Sequence, residues 1–184
     1  AAGSGAAGSG APRGDLQVRV EWVGVPVAAR RSPGATPCGT PRAAQVAPTT
    51  TWGVPEVLVV IEGGAPAPAE ARIALAGCAL VPRLAVARAA VIASELDQPA
   101  RVVARSVGTP AAPADGAALP IALPIAGHAV TVPVAAGAIT AIETAAPAPE
   151  RAHVAAIDGG YVTDAAGQVL ASGLAPGPHA VTAW

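Results

Sequence analysis

Proline and glycine punctuate this chain so evenly that a long helix has almost nowhere to form. Its 184 residues carry 20 prolines and 21 glycines, and a proline inside a helix removes a hydrogen bond and clashes with the preceding turn. The one stretch free of both and long enough for a helix, Arg83 to Leu96, is β-branched near its centre and reads as strand as well. An all-β chain is therefore expected, despite an abundance of alanine, the best helix former. The length suits one domain of ordinary size, or one and a half, with a substantial core. With aromatic residues at 2%, the alanines must stand where larger apolar residues usually sit, and the sheets must pack closely.

The first ten residues are AAGSG written twice. Side chains of this kind cannot offset the entropy of ordering, so residues 1–14 are read as a flexible Gly/Ser/Ala linker, either a membrane tether or an engineered scar. Leu16 to Val23 then alternates, with Leu16, Val18, Val20 and Trp22 on one face and Gln17, Arg19 and Glu21 on the other. Residues 30–53 form a long Pro- and Gly-rich excursion carrying Cys38, and a loop of that length in a compact domain needs fastening. Residues 56–61 read as a strand buried on both faces. Further strands are predicted at 71–76, 79–87, 88–94, 100–106, 119–125, 128–134, 137–143 and 152–158, with turn signals about every ten residues, as in a sandwich or barrel.

Tyr161 to Trp184 is predicted to be a hairpin turning at Gly173 to Gly177, with Val169, Ala171, Leu174, His179 and Val181 on its inward face. Two strands alone are marginal in water. The segment is therefore expected to close onto the strand at 16–23, which would also let Trp22 and Trp184 pack together.

Several functions lack support in these residues. A net charge of −1 provides no basic footprint for nucleic acid. The charge-free run from Gly116 to Ile142 is interrupted by Pro120, Pro124, Gly127, Pro133 and Gly137, so buried strands account for it better than a transmembrane helix. No Gly-x-Ser-x-Gly elbow surrounds Ser94, Ser106 or Ser172. Asp158 and Asp164 have too few acidic neighbours for a calcium loop and read as turn caps. No catalytic constellation is found. Trp52, beside Gly53 in a loop, is a candidate partner contact or a plug for a core gap.

The landmarks VRVEWVG, Cys38-Gly39, EVLVVIEG, GCALVP and the terminal VTDAAGQVLASGLAPGPHAVTAW occur in an order that resembles secreted cupredoxin-like proteins of high-GC bacteria. These are plastocyanin- or azurin-like sandwiches carrying a carboxypeptidase-regulatory-like segment. The resemblance covers roughly 16–184. It implies a Greek-key sandwich over 15–158, with 159–184 as a terminal hairpin packed on the same domain and closing onto the first strand. It also implies type 1 copper held by a histidine after the central strand and by a later Cys, His and Met. Here the central strand, LDQPARVVA from Leu96 to Ala104, has no histidine, and Thr144, Pro147 and Glu150 fall on the other ligand positions.

The chain is accordingly expected to be a non-catalytic, metal-free, cofactor-free sandwich. It would serve as a structural or interaction subunit of a protein assembly in the periplasm, the cell envelope or outside the cell. The chain begins without methionine or a signal-like segment and is read as a mature, processed form. The resemblance and an oxidising compartment make a structural disulfide of Cys38 and Cys78, worth about 3–4 kcal/mol for a loop of about forty residues. Free buried thiols, or a redox or metal pair, stay open as alternatives. The competing function is copper binding for electron transfer or copper handling through an unconventional site of His128, His153 and His179.

Overall fold

In the computed structural model, residues 12–25, 51–77, 79–109, 111–145 and 150–184 are described. Among these no helix occurs and the regular structure is strand throughout. The first strands are β1 (Gly14–Arg19), β2 (Glu21–Val23), β3 (Thr51–Gly53) and β4 (Leu58–Ile61). Next come β5 (Ala71–Ala76), β6 (Ala79–Val81), β7 (Leu84–Val86), β8 (Ala89–Ser94) and β9 (Ala100–Thr109). They are followed by β10 (Ala112–Pro113), β11 (Leu119–Leu123), β12 (Ala129–Pro133), β13 (Ile139–Thr144) and β14 (Arg151–Ala155). The last are β15 (Gly160–Val162), β16 (Gln168–Leu174) and β17 (Val181–Ala183).

The middle of the chain is a two-sheet sandwich. A four-stranded sheet of order β12-β8-β5-β6 faces a six-stranded one of order β10-β9-β13-β14-β7, with β11 also paired to β9. Two consecutive pairs interlock: β8 and β9 lie in opposite sheets, as do β12 and β13, while β8 pairs with β12 and β9 with β13. Period-two alternation sends Ile73, Leu75, Ile92, Val102, Leu123, Ile142 and Val154 into the shared core. Alanine fills the rest, as expected, with Ala87, Ala90 and Ala152 wholly buried. The charge-free run becomes β11, β12 and most of β13, and no helix among the described residues is long and apolar enough to cross a membrane.

The two ends of the described chain build a second, smaller unit. β1 pairs antiparallel with β16, aligning Leu16 with Ala171 and Val18 with Val169. A three-stranded sheet of order β15-β4-β17 packs against that pair. Val59, Ile61, Val169, Ala171 and Leu174 form its core, with Leu16, Val18, Val20 and Tyr161 around them. The first strand thus meets the terminal segment, as predicted.

Several details differ from expectation, among them the strand predicted over 79–87, which is interrupted at Pro82 and Arg83 to give β6 and β7 in different sheets. β16 and β17 do not pair with each other: β16 joins β1 and β17 joins β4, so the segment is an arch between two sheets rather than a hairpin. Pro176 and Pro178 in the connection have no N–H for a hairpin ladder, and His179 and Val181 do not join the buried face of Val169, Ala171 and Leu174. The alternating run at 16–23 is broken at Val20, whose N–H donates to Gly167 and whose carbonyl accepts from Val54. There the chain leaves β16 for β3, so Trp22 faces Trp52 and not Trp184. Cys38, Cys78 and residues 1–11 of the linker predicted over 1–14 lie outside the described residues, whereas Arg13 donates to the Gly173 carbonyl and Gly14 already begins β1.

Candidate functional site

β4 organises the region where a ligand or partner could be received. Its two faces serve different cores: Val59 and Ile61 enter the terminal core, whereas Leu58 and Val60 press on the outer face of the six-stranded sheet. There they meet Ile139, Ala155, Leu84, Val86 and Val107. The three-stranded sheet covers only part of that outer face. Beyond its margin lies an open groove of about 590 Å³ with Leu58, Leu84, Val107 and Ile139 on its apolar side and Arg83, Arg151, His153, Glu56 and Trp184 around it.

His153 sits on β14 opposite Ala141 of β13 and Leu84 of β7. Burial lowers its pKa, the Arg151 guanidinium lowers it further, and Glu143 opposes them in part. The imidazole is therefore neutral at pH 7. The arginines are held by carboxylates: Arg83 donates to Glu150 at 3.0 Å, Arg105 donates to Glu143 at 3.1 Å, and Arg151 pairs with Glu143 as well. This ladder spans β9, β13, β14 and the approach to β7. The sequence reading missed it because its members are far apart in the chain and only sheet register makes them neighbours.

At the rim, Glu56 is the single described non-glycine residue with positive φ, at 56°. A glutamate in this region is strained by about 1–3 kcal/mol and persists only where neighbours fix it. Thr163 supplies that restraint. Its hydroxyl accepts from the Val57 N–H and donates to the Val54 carbonyl, while its main chain bonds to Glu56 and Val57. The Val-Pro-Glu-Val turn was the available sequence signal, with proline ahead of a residue of positive φ.

A second exposed feature is the ribbon of β2 and β3. Trp22 and Trp52 stand opposite each other with ring centroids 6.5 Å apart and planes tilted by 40°. Trp22 is 41% exposed and Val23 beside it 73%. Gly53 anchors the ribbon, because a Cβ there would lie 1.9 Å from the Ala166 carbonyl oxygen. The close approach seats the base of the ribbon on the turn at 164–167. Asp164 caps that turn through the N–H groups of Ala166 and Gln168, as its sequence context predicted.

The remaining candidate residues are dispersed. His128 is exposed before β12, and among the described residues no three His, Cys, Asp or Glu side chains form a group that could hold a metal ion. Both ring nitrogens of His179 lie 2.7 Å from backbone carbonyl oxygens, of Glu62 and Ala175, so the backbone occupies both positions through which it would ligate a metal. The residues at two of the implied copper positions do not fit that metal. The Thr144 hydroxyl accepts from the Glu150 N–H and the Glu150 carboxylate receives Arg83, so neither a thiolate nor a thioether is offered. Pro147 lies outside the described residues. Comparison of the chain with protein-family models, with curated proteins and with solved structures finds no match.

Proposed function

We propose that this protein is a non-catalytic, metal-free sandwich of cupredoxin-like type that acts as an interaction subunit of a protein assembly in the cell envelope or outside the cell. The observation that carries this reading is the Trp22–Trp52 pair. Two of the chain's four aromatic residues stand side by side on a ribbon whose base is fixed by a glycine contact. Tryptophan is enriched among the few residues that dominate binding energy, and rigid aromatic area costs little entropy to immobilise. A disulfide between Cys38 and Cys78 belongs to the same proposal.

Crosslinking in the source cells, with a photoreactive residue at position 22, tests the reading. A single protein partner in stoichiometric amount is expected. The Trp22→Ala/Trp52→Ala double variant should melt as the wild type does and bind that partner about thirtyfold or more weakly, the mark of an interfacial hot spot. An unchanged affinity would remove the ribbon from the interface. Isolation of the protein from its source as a solitary monomer would remove the function itself.

A further inference from the structure

We infer that His179 is a proton-operated clasp: as an imidazolium it fastens the loop before β17 to the turn after β4, and on losing its proton it lets that terminal strand loosen beside the groove. The argument begins with hydrogen-bond chemistry. Nδ1 lies 2.7 Å from the Glu62 carbonyl oxygen and Nε2 lies 2.7 Å from that of Ala175. A backbone carbonyl only accepts, whereas neutral imidazole has one N–H and one lone pair. Either neutral tautomer would leave a lone pair pointing at a carbonyl oxygen at 2.7 Å, and flipping the ring would set carbon-bound hydrogens, far weaker donors, against both carbonyls. Only the doubly protonated ring donates to both.

The strand it holds is short, and its ladder to β4 runs over Val181, Thr182 and Ala183 alone. β17 is three residues long, exposed throughout, and forms an edge of the sheet β15-β4-β17. Its connection to β16 contains Pro176 and Pro178, neither of which donates a backbone hydrogen bond. The bonds fixing its ends are Glu62 N–H to Ala180 and the reciprocal pair between Leu58 and Trp184. The ring rests against Gly63, where a Cβ would sit 3.6 Å away. Because Trp184 lines the groove, releasing β17 widens the opening to His153 and Arg151.

Charge near the ring supports the same state. The titratable group facing it is Glu62, on the turn after β4; β4, β17 and the loop at 175–180 bring none. The pKa of His179 is raised, first by the bond to Ala175, then by that to Glu62 and by the Glu62 charge. A folded-state pKa above the ordinary value of about 6.5 means that the clasp is fully present below about 6.5 and is lost as pH rises through the higher folded value. Over the same interval the groove, already open, widens on its Trp184 side, a consequence that holds whether or not the tryptophan ribbon is the interface.

The chain carrying Trp22→Phe, Trp52→Phe and His153→Gln isolates the effect, leaving Trp184 as the one tryptophan, excited selectively at its red edge, and removing the groove histidine. NMR titration of the His179 Cε1–H should give a pKa above 6.5. Amide exchange at Glu62 and Trp184, corrected for its intrinsic pH dependence, should quicken about tenfold across that titration, the loss of one hydrogen bond from a charged donor. Acrylamide quenching of Trp184 should rise in step. His179→Gln, which has a single amide group for two acceptors, should show the fast exchange and high quenching at every pH. A His179 pKa at or below 6.5, or equal exchange at pH 5.5 and 8.5, would overturn the inference. So would a glutamine variant still protected at low pH.

Discussion

Leu58→Ala probes the joint between the two units. Leu58 is 2% exposed and lies with Ile139 and Ala155 in the cluster that binds β4 to the six-stranded sheet. Truncation removes three carbons, or about 2.4 kcal/mol at about 0.8 kcal/mol per buried methylene. The hole opens onto the groove and fills with water, so the added cavity cost is small and the total is about 2.5–3 kcal/mol, at the lower end for such substitutions. For a chain of this size each kcal/mol lowers Tm by about 2–4 °C, which gives a decrease of about 5–12 °C. Trp184 follows β17, and Trp22 and Trp52 stand on the ribbon seated on the 164–167 turn of the terminal unit, so fluorescence follows that unit while far-UV circular dichroism follows both. In urea the two signals should coincide for the wild type and separate in the variant, with fluorescence changing first. A loss below about 1 kcal/mol, or signals already separate in the wild type, would refute the view that Leu58 bolts two cores into one cooperative structure.

Three further outcomes can be checked in parallel. His153 has a lowered folded-state pKa, so its contribution is complete above about pH 6.5 and is lost as pH falls; His153→Gln should flatten the acid side of a Tm-against-pH curve, opposite to the effect at His179. Thr163→Val keeps the shape of a buried side chain but strands the Val57 N–H, and denaturant titration should show a loss of about 1–3 kcal/mol. Gly53→Ala forces a Cβ to within 1.9 Å of the Ala166 carbonyl oxygen, and because backbone must move it should cost about 1–3 kcal/mol or more and abolish any exciton coupling between Trp22 and Trp52 in near-UV circular dichroism.

Strand positions from β5 to β14 were largely legible because alternation and turn residues are local signals. Ile73 and Leu75, or Ala90 and Ile92, announce one face of a strand whatever it later pairs with. The unbroken apolar run of β4 correctly indicated burial on both faces. Partnership was less legible. Nothing local tells Val20 to change neighbours, and the arch between β16 and β17 has the residues of a hairpin turn while its two prolines withhold the donors that one needs. The groove lies beyond local reading, since Arg83 and Glu150, or Arg105 and Glu143, meet only through register across several strands.

The order of manufacture follows from where β4 lies in the chain. Its partners β15 and β17 are made about a hundred residues later, after the whole central sandwich. At about 5–20 residues per second, β4 waits about 5–20 s for them on the ribosome. During that interval Val59 and Ile61 have no core to enter, while Leu58 and Val60 can already dock on a finished sheet. A nascent chain halted before β15 should therefore display a sticky strand on a folded body, the form in which a holdase chaperone would meet it.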